Sequence, residues 1–206
     1  MTTALHEVTE FAVGLPDGWY PMPLDVDSAE WSSGLASSLT AEASAVTRLA
    51  AELRGAQETV VSMDDPLVRA AAWVDSPETG HADAVMVFSL AELSDTGSPD
   101  DYEQFLLSYR DRGDADGLFY SVSTWRSEVD AGPVVGSYNL IAHSDEQGDL
   151  LGSYLEERVV IAVFPPRAAQ CVQFIFSAQG LGSFRNAPEE TQGIVAGLRV
   201  TLDAAS

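Results

Sequence analysis

From residue 118 to residue 179 the chain is strand-forming almost throughout, and the interruptions are too short for anything except a reversal. Segments 118–130, 134–144, 150–164 and 170–179 are separated by Ala131-Gly132-Pro133, by Ser144-Asp145-Glu146-Gln147-Gly148 and by Pro165-Pro166. A parallel neighbour needs a crossover of roughly a dozen residues or more, so these four segments can only form an antiparallel meander.

The remaining elements must cover that meander. Residues 6–15 read as a strand with Phe11, Val13 and Leu15 on one face, closed by the turn Leu15-Pro16-Asp17-Gly18. Asp27 with Glu30 forms an N-cap pattern, and Trp31, Leu35, Leu39, Val46, Leu49 and Leu53 follow at helical spacing to a stop at Gly55. This predicts either one long helix over 28–54 or a helical pair broken near Thr40, where Ser37 to Thr40 offers a second cap. Two strands come next, over 67–75 and 82–91, the second apolar on both faces and therefore central. Ser98, Pro99, Asp100 and Asp101 open a helix whose buried stripe is Tyr102, Phe105, Leu106 and Tyr109, ending at Gly113. Asn186 with Glu189 caps a last helix carrying Ile194 and Leu198, before the closing run Arg199-Val200-Thr201-Leu202. The predicted fold is a single α+β domain over 1–206. A mostly antiparallel sheet of six to seven strands is flanked by the N-terminal helix or helical pair, a middle helix and a C-terminal helix.

The charge is one-sided. All ten cationic side chains are arginines, and 32 carboxylates bring the formal charge to −22. The excess runs through every part of the chain. Such a field repels phosphate backbones and anionic lipid surfaces, which excludes nucleic acid and membranes as partners and steers basic proteins inward. A soluble acidic surface with no partner would have the same composition. Cys171 is alone, so no internal disulfide or thiolate cluster can form. The opening MTTALHEVTEF has neither a basic nor an apolar leader segment, and the expected location is cytoplasmic.

Three stretches carry a family resemblance: LPDGW at 15–19, the late strand pair EERVVIAVFP (156–165) and QCVQFIFSA (170–178), and the terminal FRNAPEETQGIVAGLRV (184–200). In these the chain resembles the PsbP-like superfamily, which includes the DcrB-related bacterial proteins. The helical stretch over 28–54 departs from that pattern, since many members pass from the Trp into another strand. The resemblance implies a non-enzymatic binding scaffold that serves as an accessory subunit, adaptor or secretion chaperone.

The chemical motifs are incomplete. Asp114, Asp116 and Gly117 match three positions of a calcium loop, but Arg112 and Ser123 stand where two carboxylate ligands are required. His6, His81 and His143 are far apart and outside any zinc-binding spacing. There is no GxSxG elbow, Cys171 sits in an apolar strand, and GLGSF at 180–184 lacks the lysine of a phosphate loop. No catalytic residue, metal or cofactor is therefore expected. Trp19 and Tyr20, after a turn at the sheet rim, together with Asp100, Asp101 and Glu103, are the expected partner-binding residues. The leading reading is a non-enzymatic domain that binds another, basic protein as an adaptor, a chaperone or an immunity-type antagonist. The alternative is a small-ligand binder or enzyme that uses a cavity between the sheet and the long helix, with Glu156, Glu157 and His143 as acid/base groups.

Overall fold

The computed structural model describes residues 5–111, 118–143 and 154–203. It is an α+β fold in which seven strands form one sheet, in the order β2-β3-β4-β8-β7-β6-β5, while β1 and β9 form a separate pair. The strands are β1 (Val8–Ala12), β2 (Trp19–Met22), β3 (Arg69–Trp73), β4 (Ala84–Glu92), β5 (Leu118–Val129), β6 (Gly132–His143), β7 (Tyr154–Val163), β8 (Gln170–Gln179) and β9 (Arg199–Leu202). The helices are α1 (Ser28–Leu39), α2 (Ala43–Val61), the single turn α3 (Leu93–Thr96), α4 (Pro99–Ser108) and α5 (Ala187–Val195). The chain divides into two compact units: residues 15–88, and residues 1–14 with 89–206.

In the smaller unit, the turn after residue 15 does not lead straight into a helix. Gly18 takes a positive φ of 83°, which turns the chain into the short strand β2, and β2 pairs antiparallel with β3. Pro21 explains why that strand is hard to foresee: it removes a ladder donor and is tolerated because β2 is an edge strand. The helical stretch is a pair. Thr40 adopts an extended conformation (φ −143°, ψ 148°) and ends α1, whose first turn is capped by the Asp27 carboxylate accepting from the N–H groups of Ala29 and Glu30.

The expected stop at Gly55 is not used. Gly55 lies on the exposed side of α2, and the helix runs on because Gln57 and Val60 are buried beyond it. Leu49 and Leu53 are fully buried, with Met22, Ala36, Ala70 and Val74 in the same cluster, and Trp31, Leu35, Leu39 and Val46 pack around its edge. The seam between the helical pair and these strands is thus filled with apolar side chains. The Gln57 amide donates to the carbonyls of Pro23 and Val26, which pins the chain between β2 and α1.

The larger unit holds the meander. β5, β6, β7 and β8 pair antiparallel in sequence order, and Val129 faces Gly132 across a two-residue turn. α4 lies against Val135, Ala162 and Cys171 through Tyr102 and Leu106, whereas Phe105, expected on the buried stripe, is 51% exposed. The first strand does not join this sheet. β1 pairs with β9, and the Val8 N–H donates to Gln170 Oε1 on β8, so the two ends of the chain are held together on the meander. Among the described residues no helix is long and apolar enough to cross a membrane.

Leu49→Ala removes a side chain with no exposed surface from the centre of the smaller unit, and should lower unfolding free energy by about 2–5 kcal/mol. Denaturant titration checks this; an unchanged midpoint would mean that α2 is held by its other residues.

Candidate functional site

Consecutive strand residues point to opposite faces, so Glu156 and Glu157 on β7 cannot act as a pair. Each is buried and each has found its own partners. On one face Glu156 takes two bonds from the Arg158 guanidinium, at 2.7 and 2.9 Å, and lies 2.7 Å from His143 Nε2. His143 in turn stacks on Tyr154, with ring centroids 4.6 Å apart. Desolvation pushes the Glu156 carboxyl up, but the Arg158 guanidinium, with the Ser177 hydroxyl and His143, pulls it further down, so it rests below the usual carboxylate range. On the other face Glu157 accepts from the Tyr138 hydroxyl at 2.7 Å and from the Gly182 N–H at 3.0 Å. Burial, then the neighbouring Glu157, pushes the Tyr138 phenol up to about 12. The GLGSF loop therefore serves the fold, supplying a main-chain donor to a buried carboxylate.

The acidic start of α4 is also largely engaged. Asp101 closes a capping box with Ser98, and those bonds hold its carboxyl below the usual range. Arg126, reaching over from β5, meets Asp100 at 2.6 Å and Glu103 at 2.6 Å, and Glu103 also accepts from Thr124 at 3.0 Å. Hydrogen bonding to Arg126 keeps the Glu103 carboxyl low despite some desolvation. Three of the five expected partner-binding residues thus have structural bonds of their own; Asp100, 81% exposed, and Asp101 are still open to solvent, whereas Glu103 is only 20% exposed.

Trp19 is a correction. The residue is only 8% exposed and its ring stacks on Trp73 at 6.0 Å, so it offers little aromatic surface at the rim, and Tyr20 packs partly buried against the core of the smaller unit. The turn places the Trp there because the Gly18 carbonyl accepts from the Val74 N–H, which fixes the strand end beside Trp73. The histidines each meet a separate carboxylate, His6 with Asp203 and His81 with Glu52, and no group of three His, Cys, Asp or Glu among the described residues gathers to hold a metal ion. Asp114, Asp116 and Gly117 lie outside the described residues. Burial pushes the Cys171 thiol up, which makes it a poor nucleophile.

The arrangement best suited to binding lies elsewhere in the larger unit, where the Trp125 end of β5 meets α5. Gly136 on β6 has no side chain, and a Cβ there would stand 2.3 Å from the Trp125 ring, so the indole lies directly on the neighbouring strand. The indole N–H donates to Gln192 Oε1 of α5 at 3.0 Å, which orients the ring. Between them runs an open groove of about 650 Å³, with Trp125, Val129 and Pro188 as apolar walls and Glu128, Asp130 and Glu189 as exposed carboxylates. Among the described residues no lysine or arginine lines it. A half-buried indole flanked by carboxylates without a fixed counter-cation favours a positively charged guest, through both Coulomb attraction and the ring face. Sequence reading missed this site. Its signal was Gly136 inside a strand, which marks a close approach, but nothing local shows that Trp125 is what approaches.

No protein-family model matches the chain, and no curated protein does. Among solved structures it is similar to the solution structure of cyanobacterial PsbP (CyanoP) from Synechocystis sp. PCC 6803, at 11% identity and a TM-score of 0.45, over 93% of this chain and 86% of that one.

Two outcomes test these geometries. Gly136→Ala must displace the Trp125 ring, and should shift its emission and cost about 1–3 kcal/mol, whereas an unshifted spectrum would place the indole elsewhere. Because the Glu156 value is lowered on folding, its stabilisation is complete above the unfolded carboxylate range and is lost as pH falls through the folded value. Glu156→Gln should therefore lose on the order of 3 kcal/mol near neutral pH, with the gap to the parent narrowing as pH falls below the usual carboxylate range. A gap independent of pH would contradict the ion-pair account.

Proposed function

We propose that this chain is a non-enzymatic binding domain for a basic protein, and that the groove beside Trp125 receives cationic side chains of that partner. The observation that carries the reading is the lining itself: three exposed carboxylates and an oriented indole, with no cation among the described lining residues. The whole-chain charge of −22 acts in the same direction, drawing basic partners in from a distance and rejecting acidic ones.

The acid/base alternative draws less support. Glu156 is held as a low-affinity carboxylate by Arg158, which makes it a weak proton acceptor, and Glu157 faces away from it and is committed to Tyr138 and Gly182. An adaptor, chaperone or antagonist role is equally compatible with a groove that binds cationic chain.

The test is a titration of a fluorescein-labelled peptide of alternating arginine and valine, with an alternating glutamate-valine peptide as control. The arginine peptide should bind, with affinity falling as salt rises, and the glutamate peptide should not. The combined variant E128Q/D130N/E189Q should weaken binding by roughly tenfold, as expected from three partly exposed charge contacts. Equal binding by variant and parent would overturn the groove as the site.

A further inference from the structure

The two edges of the seven-stranded sheet are built differently. β2 is four residues long and carries Pro21, features that blunt an edge against further pairing. β5 is twelve residues long and has no proline. Its hydrogen-bonding phase follows from the turn: Val129 and Gly132 form the bonded pair that closes the two-residue loop, so Ser127 and Trp125 also bond inward, and Val122, Thr124, Arg126 and Glu128 direct their main-chain groups outward. The Val122 carbonyl bears this out, since it accepts from the Arg110 side chain at 2.9 and 2.6 Å. That guanidinium closes one end of the edge. Among the described residues, no hydrogen-bond partner meets the outward main-chain groups of Thr124, Arg126 and Glu128. The Arg126 side chain, which could guard the edge, is instead drawn onto Asp100 and Glu103 of α4.

This open run lies along the Trp125 groove. Resting on the reading of that groove as a site for cationic chain, we propose that the partner docks by strand addition: an extended basic segment pairs with β5 along Thr124–Glu128. Every second side chain of the added strand then points to the Trp125 face, where Asp130 and Glu189 meet it, while the alternate ones pass toward Glu128 and the exposed Asp100 on the face of Arg126. Main-chain bonds supply the pairing and the carboxylates select the sign of charge. Pairing of β5 with β5 of a second copy would bring the same carboxylates together on two chains of charge −22, so the edge is kept for a partner of opposite charge.

The experiment compares the arginine-valine peptide with the same peptide N-methylated at alternate residues, in both possible phases, which removes pairing donors without changing charge. Amide hydrogen exchange of the protein is followed alongside. One phase of methylation should weaken binding by at least about tenfold, because each main-chain bond lost is worth a factor of a few, and the other phase should bind like the parent. The parent peptide should protect the Thr124, Arg126 and Glu128 amides. If both methylated peptides bind as tightly as the parent, while E128Q/D130N/E189Q still weakens binding, the groove reading stands and strand addition is overturned. If the parent peptide does not bind at all, both fail. Protection of those amides that rises with protein concentration and without peptide would assign the edge to a second copy and overturn the proposal.

Discussion

Two buried glutamates at adjacent positions of β7 set the terms for the larger unit. The strand period sends Glu156 to one face and Glu157 to the other, and a buried carboxylate without partners is too costly to keep. Each face must therefore supply its own donors. Arg158, Ser177 and His143 do so on the side that α4 covers, and Tyr138 with the Gly182 N–H do so on the α5 side. The loop after β8 is held to the sheet by the second set. α5, which follows that loop, is thereby brought to the Trp125 end of the meander.

The same reasoning separates carboxylates that serve the fold from those left over. Glu103, Asp101 and Glu156 all have donors close enough to lower their affinity for protons, and they contribute little free negative charge to a visitor. Glu128, Asp130 and Glu189 line a groove to which no described residue brings a cation, beside an indole whose orientation is fixed by Gly136 beneath it and Gln192 at its nitrogen. A formal charge of −22 says only that acidity is abundant. The bonding pattern says where it remains available.

Much of the fold was legible because it depends on local rules. Short turns force the meander, Asp27, Ser98 and Asn186 announce three helix starts, and Ser37 to Thr40 offers a break that the helical spacing alone does not require. What was not legible depends on distant partners. β2 was missed because its only strand credential is its pairing with β3, while Pro21 argues against a strand. The place of β1 off the sheet is not legible because nothing near it reveals that β9 is its partner. Gly55 reads as a stop unless one knows that it faces solvent and Gln57 does not. At the site the loss was larger. Trp19 looked like a rim residue because it follows a turn, yet Trp73 lies across the ladder from it, and Trp125 gave no sign of its groove because Gly136, Gln192 and Glu189 come together only through register and helix docking.

The most direct test of the central claim is where a basic ligand lands. The chain has four tryptophans, and each gives a separate indole N–H signal in a nitrogen-proton correlation spectrum. Titration with the arginine-valine peptide should move the Trp125 indole signal in a saturable way and leave those of Trp19, Trp31 and Trp73 in place. A Trp125 signal that stays fixed while the peptide binds, or one that moves no more than the other three, would contradict the assignment of the groove as the binding site.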